Sequence, residues 1–332
     1  MNAADTIRCL LVEEVDGKPT MSIQHLPRQQ FVVGNVTIQV AYSSLNFKDA
    51  LACQGHRGII RKLPHVPGID LAGTVLESES DRFVVGESVI VTGYDLGQGH
   101  WGGWSQLACV PEDWIVKLPV GLDLFESMFI GTAGFTAAQC LIALERNGVT
   151  PSSGPIVVTG STGGVGSLAV RLLAQSGYEV VAVTGKSDCH SALKSIGASR
   201  VLTREELLAG ESSRPMLSAQ WAGAVDTVGG AVLINLLKST QYGGCVTACG
   251  LVAGHQLDMT VYPFLLRGVS LCGVASADCP MTQRLEIWKR LSTNWKPRHL
   301  EILSTVVGLE QLPEFVSKMS KGEVAGRVVV KL

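Results

Sequence analysis

The chain has 332 residues, which is enough for about two domains. Hydrophobic residues make up 46% of it and charged residues 17%, which predicts large buried cores, and 37 glycines suit an α/β architecture with many tight turns. The formal net charge of -2 argues against a nucleic-acid partner, because proteins that bind the phosphate backbone usually carry a basic surface.

The sequence also predicts a cytoplasmic protein without a membrane anchor. Its start, MNAADTIRCLLVEEVDG, lacks the basic residues and apolar run of a signal peptide. No uninterrupted apolar window of about 18 residues occurs, so no membrane span is expected. The nine cysteines are scattered and none forms a CxxC pair, which predicts free thiols in a reducing compartment.

The first third of the chain is rich in short apolar or alternating runs that are typical of β-strands. These runs are separated by Gly, Pro and Asp, and they are TIRCLLVEE (6–14), NVTIQVAYSSL (35–45), AGTVLES (72–78) and ESVIVTG (87–93). Their spacing predicts a partly closed antiparallel barrel. The stretch GTAGFTAAQCLIALER (131–146) then changes to helical periodicity.

From residue 155 to about residue 275 strands and helices alternate. The predicted strands are 156–160, 179–185, 200–203, 221–229, 244–250 and 269–275. The predicted helices between them are 164–175, 191–196 and 231–239. This alternation predicts a parallel, doubly wound sheet of the Rossmann type, with 269–275 as an edge strand.

The last stretch is expected to return to the first domain. It contains one predicted helix at 281–291, a second near 312–319 and a final strand, GRVVVKL. The predicted domains are therefore 1–126 together with 277–332, and 127–276.

A glycine-rich turn follows the first of the alternating strands. In VVTGSTGGVGS, Gly160, Gly163 and Gly166 stand between a strand and a helix. Such a turn lets the backbone approach a pyrophosphate, and the helix N-terminus then offers free N–H groups and a partial positive charge. The context predicts a dinucleotide site, although a purely structural turn is the alternative.

The end of the next strand favours NADPH over NADH. An NAD site places an acidic residue there, whereas this chain has Thr184, Gly185 and Lys186. A hydroxyl, a backbone N–H and an ammonium group attract a 2′-phosphate that a carboxylate would repel. Arg204, just past the third strand, is a further candidate for this phosphate. The alternative for both cations is a solvated surface residue.

Taken together, these features resemble the medium-chain dehydrogenase/reductase superfamily. The resemblance covers essentially the whole chain and is sharpest to the quinone-oxidoreductase-like branch of the YhdH/YhfP type, which includes acryloyl-CoA reductases. The stretches that carry it include SSLNFKDAL (43–51), PGIDLAGTV (67–75), HWGGW (100–104), VVTGSTGGVGS (157–167) and PFLLRGVSLCGV (263–274). The resemblance implies a GroES-like catalytic domain, split in sequence around a Rossmann domain that binds NADP.

The resemblance also implies that no zinc is used. Zinc-dependent members carry a Cys where this chain has SLNFKD and a His-Glu pair where it has Ile69-Asp70. Cys53, His56 and His65 lie nearby in sequence, but their spacing fits no zinc pattern. Without this Lewis acid, the expected substrate is already electrophilic, such as an activated alkene.

In this family the stretch NFKDA carries the expected catalytic residues. Asn46 would donate its amide N–H to ribose or substrate, and Asp49 would orient a proton path or a neighbouring side chain. The structural alternatives are a cap role for Asn46 and a helix N-terminal acid for Asp49. Phe47 stands where many relatives carry Tyr, so its ring can pack in the cofactor site but has no proton to donate. Solvent or Tyr94 could supply the proton, although Tyr94 is better explained by packing.

The remaining site residues are also implied by the family. Expected cofactor contacts are Phe47, Thr136, Thr162, Gly163, Gly164, Val165, Leu251, Leu265 and Arg327, besides the residues named above for the 2′-phosphate. For the two leucines, core packing is an equal alternative. Arg57, Arg61 and Lys62 could bind the phosphates of a CoA substrate, or they could simply belong to a solvated loop.

Three functions are compatible with these observations. The first is NADPH-dependent reduction of a short 2-enoyl-CoA, above all acryloyl-CoA to propionyl-CoA. The second is NADPH-dependent reduction of quinones or enones. The third is a cofactor-binding structural or redox-sensing protein with little activity. The family habit further predicts a homodimer, formed through the edge strand at 269–275.

Overall fold

The computed structural model of the protein describes residues 6–209 and 214–332. Residues 1–5, where the stretch used to argue against a signal peptide begins, lie outside this range. The chain forms two compact units, each of which is described by itself. One unit contains the described part of Met1–Thr132, Ala277–Thr293 and Ser304–Leu332, and the other contains Ala133–Ser276 and Asn294–Leu303.

The strands and helices of the described residues are as follows in chain order. The strands are β1 (Thr6–Val15), β2 (Lys18–Pro27), β3 (Val36–Leu45), β4 (Asp70–Ser78), β5 (Ser88–Thr92), β6 (Leu107–Val110), β7 (Ile115–Lys117), β8 (Ile156–Val158), β9 (Val180–Val183), β10 (Arg200–Leu202), β11 (Trp221–Asp226), β12 (Thr240–Ala248), β13 (Ser270–Gly273), β14 (Ser304–Gly308) and β15 (Arg327–Lys331). The helices are α1 (Phe47–Cys53), α2 (Leu124–Arg146), α3 (Gly164–Gln175), α4 (His190–Ser195), α5 (Arg204–Leu208), α6 (Gly230–Ser239), α7 (Tyr262–Arg267), α8 (Met281–Leu291) and α9 (Leu312–Ser320).

The first unit is built on a mostly antiparallel sheet. Its strand order is β14-β15-β3-β4-β5-β7, with β6 also paired to β3, while β1 and β2 form a separate hairpin. The final strand β15 lies between β14 and β3, with Val329 opposite Ser44. The predicted antiparallel architecture and the return of the last strand to this domain are both confirmed.

The second unit is a parallel six-stranded sheet in the order β10-β9-β8-β11-β12-β13. Its central strands β8, β9 and β11 are buried along their whole length, because helices follow the strands in a doubly wound arrangement. The predicted Rossmann-type sheet is confirmed, and β13 lies at its edge as expected.

The segment Asn294–Leu303 lies with the second unit, whereas the sequence assigned it to the first. The buried guanidinium of Arg171 in α3 explains this difference. Its Nη1 donates to the carbonyl oxygens of Arg298 (2.6 Å) and His299 (3.0 Å), and its Nη2 donates to that of Ile302. One buried side chain thus fixes the segment against α3. Such long-range pairing leaves no local sequence pattern.

Helix α2 is interrupted at Gly131, where φ is 49° and ψ is -159°. Among the described residues it is the one helix long and apolar enough to cross a membrane by length and composition. However, 78% of its apolar window is buried inside the protein, and a core helix passes the same test.

Candidate functional site

The first unit contains a largely buried set of six polar side chains, called here the polar cluster: Ser44, Asn46, Asp49, Asp70, Thr132 and Arg327. Five different elements contribute to it. The members lie at the end of β3, at the start of α1, at the start of β4, beside the α2 interruption and at the start of β15. The fold therefore brings NFKDA next to residues that are far away in sequence.

Asp70 is the centre of the polar cluster. Its carboxylate accepts hydrogen bonds from Ser44 Oγ (2.6 Å) and Asn46 Nδ2 (2.8 Å). It also accepts from the backbone N–H of Thr132 (2.9 Å) and from the hydroxyl of Thr132 (2.5 Å). Since Asp70 is fully buried, these donors replace the water that its oxygen atoms would otherwise need as hydrogen-bond partners.

The amide of Asn46 is fully occupied within the polar cluster. Nδ2 donates to Asp70 and to Ser44 Oγ (3.1 Å), and Oδ1 accepts from Nη1 of Arg327 (3.3 Å). This arrangement leaves no amide hydrogen for the predicted donation to ribose or substrate. Asn46 also occupies the N-cap position of α1, which was the structural alternative.

Asp49 anchors a loop against the start of α1. Its carboxylate accepts the backbone N–H groups of Asn46 (2.8 Å), Gly68 (3.1 Å) and Ile69 (2.9 Å). Burial, with a contribution from the charge of Asp70, raises the pKa of Asp49 to about 7. The side chain is wholly buried.

Arg327 is buried beside the polar cluster and binds backbone carbonyls. Its Nε donates to the carbonyl oxygen of Phe129 (2.8 Å) and its Nη2 to that of Met128 (3.3 Å). Burial lowers the pKa of Arg327, while the charges of Asp70 and Asp49 act in the opposite direction. The sequence predicted a cofactor contact, but the guanidinium is used to hold the first segment of α2 and the amide of Asn46.

Gly131 makes this close approach possible. A Cβ atom at this position would lie 2.6 Å from Oδ2 of Asp70 and 2.8 Å from Nη2 of Arg327. These distances are shorter than any normal carbon contact, and the backbone conformation is one that residues other than glycine avoid. The helix interruption therefore creates the space in which the polar cluster forms.

In the second unit, the glycine turn has the tight geometry that the sequence predicted. A Cβ at Gly160 (φ 54°) would lie 2.4 Å from Oγ1 of Thr227, and one at Gly166 would lie 2.3 Å from the carbonyl oxygen of Gly160. Only glycine fits both positions. The turn leads directly into the N-terminus of α3, with Gly163 as its N-cap. Thr162, Gly163, Gly164 and Val165 form the end of this turn and the first residues of α3.

The residues at the end of β9 adjoin this turn. The hydroxyls of Thr162 and Thr184 are 3.2 Å apart, and the backbone N–H of Lys186 donates to Oγ1 of Thr184 (3.1 Å). Nothing lies within 4 Å of a Cβ built on Gly185, so space is open there. Because β9 and β10 are parallel neighbours, Lys186 and the exposed Arg204 follow strand ends at the same edge of the sheet.

Other predicted site residues differ in exposure. Leu251 is 63% exposed and Leu265 is 74% exposed, so the core-packing alternative is wrong for both. Phe47, the first residue of α1, is 44% exposed, and Thr136 is buried. The basic loop residues Arg57, Arg61 and Lys62 are exposed. Their exposure is compatible with both alternatives, a solvated loop and a binding site for phosphates.

Tyr94 is held by packing, as the sequence favoured. Its ring stacks on Trp114, with centroids 5.7 Å apart and planes 5° from parallel. The guanidinium carbon of Arg284 lies 4.5 Å from the ring centroid of Tyr94. Two ring contacts of this kind fix the orientation of the phenol.

Sequence reasoning missed two buried carboxylates that organise the units. Asp70 was considered only as a replacement for a zinc ligand. Asp226 was read as part of the strand WAGAVD, but it accepts from Thr159 Oγ1 (2.7 Å) and from the backbone N–H of Gly229 (2.7 Å). Burial raises the pKa of Asp226. The available signal was an acidic residue at the end of an apolar strand, where burial requires partners.

Comparison with known proteins agrees with this geometry. The alcohol dehydrogenase GroES-like domain family matches residues 33–120, and the zinc-binding dehydrogenase family matches residues 164–292. The chain is 46% identical to the acrylyl-CoA reductase AcuI of Ruegeria pomeroyi over 319 residues, which cover 96% of each chain.

Two solved structures extend the comparison. The yhdH oxidoreductase of Salmonella enterica, in complex with NADP, is 48% identical, with a TM-score of 0.94 and coverage of 98% of this chain and 99% of that one. The yhfP protein of Bacillus subtilis, with NAD bound, is 43% identical, with a TM-score of 0.95 and coverage of 98% and 99%. The predicted resemblance is thereby confirmed: this chain belongs to the medium-chain dehydrogenase/reductase superfamily, in the branch that contains the AcuI, YhdH and YhfP proteins.

Proposed function

We propose that this protein reduces the activated C=C bond of acryloyl-CoA to give propionyl-CoA, with NADPH as the hydride donor and without zinc. The observation that carries the proposal is the similarity over nearly the full length to an acrylyl-CoA reductase. The two units supply what such a reaction needs. The second unit has a dinucleotide-binding turn, and the first unit has the fixed polar cluster.

The second unit would hold the cofactor. Thr162, Gly163, Gly164 and Val165 would bind the pyrophosphate at the N-terminus of α3. Thr184, Gly185, Lys186 and Arg204 would receive the 2′-phosphate, since no carboxylate follows β9 until Asp188. Bound NADPH supplies the hydride. Phe47, Thr136, Leu251 and Leu265 remain our candidates for contacts to the nicotinamide end.

The chemistry of the polar cluster supports the absence of zinc from the reaction. The carboxylates of Asp49 and Asp70 are already occupied by hydrogen-bond donors. The thiol of Cys53 is buried, and burial raises its pKa, which disfavours the thiolate that a metal would need. Within residues 6–209 and 214–332, no group of three His, Cys, Asp or Glu side chains could hold a metal ion. These residues do not fit a zinc ion.

For the reaction itself, we propose Asn46, Asp49 and Arg327 as positioning residues. Their polar atoms are used to hold α1, the loop at Gly68 and the interruption of α2. Phe47 has no proton to give and the phenol of Tyr94 is fixed by ring contacts, so we propose that the proton added at Cα comes from solvent.

The decisive experiment follows the oxidation of reduced cofactor with acryloyl-CoA and with a simple benzoquinone, each with NADPH and with NADH. NADPH-specific turnover of acryloyl-CoA supports the proposal. Turnover of the quinone alone would replace acryloyl-CoA by a quinone or enone as the substrate. Tight NADPH binding without turnover of either compound would favour a structural or redox-sensing role.

We further propose that the protein is a cytoplasmic homodimer with a small-molecule substrate and no nucleic-acid or membrane partner. The edge strand β13 and the exposed apolar residues Tyr262 and Leu266 of α7 support a contact between copies. Light scattering should give twice the mass of the chain. A monomer at micromolar concentration would overturn this part of the proposal.

A further inference from the structure

A pocket of about 320 Å³ lies beside the loop that joins α1 to β4, within the first unit. Its volume is at the lower end of the range for small-molecule sites. The main lining residues are Arg61, Lys62, His65, Gln98, Gly99 and Trp101. None of these residues belongs to the polar cluster, so the pocket is a separate feature.

Two cations stand at this pocket. Lys62 is exposed. Arg61 uses Nη2 to pair with Asp95 (3.2 Å), which leaves its Nε and Nη1 donors open. Guanidinium and ammonium groups at one pocket favour a phosphate or another anion.

His65 and Gln98 add hydrogen-bond acceptors. His65 is 4% exposed, its ring hydrogen-bonds to the backbone of Gly97, and its Nε2 has no hydrogen-bond partner. Burial lowers the pKa of His65, which favours the neutral ring, and a neutral ring protonated at Nδ1 accepts at Nε2. Gln98 donates its Nε2 to the carbonyl oxygen of Tyr94 (2.7 Å), which leaves Oε1 as a second acceptor. A ligand here would therefore need an amino or hydroxyl donor as well as an anion.

Trp101 supplies an aromatic wall. Its ring is half-buried and is fixed edge-on by Phe31, with centroids 5.0 Å apart. A fixed indole can stack a nucleobase, a contact worth about 1–3 kcal/mol per base in other proteins. Cations, acceptors and a flat aromatic ring together match a phosphorylated adenosine.

We propose that this pocket binds the 3′-phosphoadenosine end of the CoA substrate. The proposal rests on the proposed function, because CoA carries this group at the end opposite to the reacting thioester. The pocket also distinguishes among the three basic residues of the loop. Arg61 and Lys62 line the pocket, whereas the equally exposed Arg57 does not.

The test compares acryloyl-CoA with acryloyl-pantetheine, which lacks the nucleotide. Lys62→Ala should raise KM for acryloyl-CoA by about tenfold, the size expected from losing one charge-assisted contact. It should leave KM for acryloyl-pantetheine and kcat for both substrates unchanged. Arg57→Ala is the matched control and should change neither substrate. Equal effects of Lys62→Ala on both thioesters, or on neither, would overturn the proposal.

A second variant blocks the pocket without removing a charge. A Cβ on Gly99 would lie 2.3 Å from Oδ2 of Asp95 and 2.9 Å from Cζ of Arg61, both at the ends of flexible side chains. Gly99→Ala should therefore fold normally and push the guanidinium into the pocket. We expect it to raise KM for acryloyl-CoA alone, and an unchanged KM would contradict the assignment.

A binding measurement keeps the pocket testable if the proposed reaction fails. Adenosine 3′,5′-bisphosphate is titrated by calorimetry into the full chain saturated with NADPH, so that the cofactor site is closed. Wild type and Arg57→Ala should bind it equally, and Lys62→Ala should bind it about tenfold more weakly. Absence of binding to wild type, or equal binding by all three proteins, would overturn the pocket assignment whatever the substrate is.

Discussion

Replacing Gly131 by Ala should destabilise the protein strongly, since a methyl group there has no space. The new Cβ would lie 2.6 Å from Oδ2 of Asp70 and 2.8 Å from Nη2 of Arg327. Both side chains are buried and hydrogen-bonded, so neither can move without losing partners. In addition, the backbone angles at this position (φ 49°, ψ -159°) are unfavourable for Ala.

The magnitude follows from these two effects. The backbone strain costs about 1–3 kcal/mol. Displacing a buried charged group from one hydrogen bond costs roughly another 1.5–3 kcal/mol. The sum is about 2.5–6 kcal/mol, which corresponds to a drop of about 5–24 °C in the melting temperature of a unit of this size.

The assay is thermal unfolding followed by calorimetry, with Gly148→Ala as the matched control. Gly148 also has a positive φ (77°), but nothing lies within 4 Å of its added Cβ. It should therefore show backbone strain alone, about 1 kcal/mol and a drop of about 3 °C. If Gly131→Ala melted within about 2 °C of Gly148→Ala, close packing of Asp70 and Arg327 around Gly131 would be refuted.

Four further predictions can be checked with the same preparations. Lys186→Ala should lower kcat/KM with NADPH by about tenfold or more and leave the value with NADH unchanged. The control variant Lys194→Ala should leave kcat/KM with both cofactors unchanged. Equal losses with NADPH and NADH in Lys186→Ala would contradict the 2′-phosphate site. Asn46→Ala should lower kcat with an unchanged Kd for NADPH, and an unchanged rate would remove Asn46 from the mechanism. Because burial raises the pKa of Asp49 from 3.8 to about 7, the folded protein keeps a proton that the unfolded chain has lost, so the melting temperature should fall as the pH rises across this interval and Asp49→Asn should flatten that fall. Treatment with a chelator should leave the activity unchanged, and a loss restored by zinc would show that a metal takes part.

Most of the fold could be predicted because its elements have strong local patterns. The helix 164–175 was predicted with the bounds that the structure gives to α3, since a glycine turn marks its start and an apolar face marks its length. Strands such as β14 were missed. STVVG is short and half exposed, and it pairs with β15 through contacts that local sequence does not reveal.

The site was predicted less completely, because its hydrogen bonds join residues that are distant in sequence. NFKDA marked Asn46 and Asp49, but nothing local showed that Asp70, 24 residues later, takes the amide hydrogen of Asn46. Likewise, Arg327 was expected at the cofactor on family grounds, whereas its donors reach backbone carbonyls almost 200 residues earlier. Spacing reveals turns and caps, and only the fold shows which buried groups satisfy one another.

The position of β15 between β14 and β3 has a consequence for the order of folding during synthesis. The strands of the parallel sheet lie between Ile156 and Gly273, so that sheet can form as soon as those residues have emerged from the ribosome. The antiparallel sheet is complete only after Arg327–Lys331 are made, and these residues pair with Tyr42–Leu45, which were made about 280 positions earlier. Until then the end of β3 at Tyr42–Leu45 lacks its partner on one edge, and unpaired strand edges are places where nascent chains associate wrongly. Chaperone demand should therefore be greatest for the part of the chain that is synthesised first.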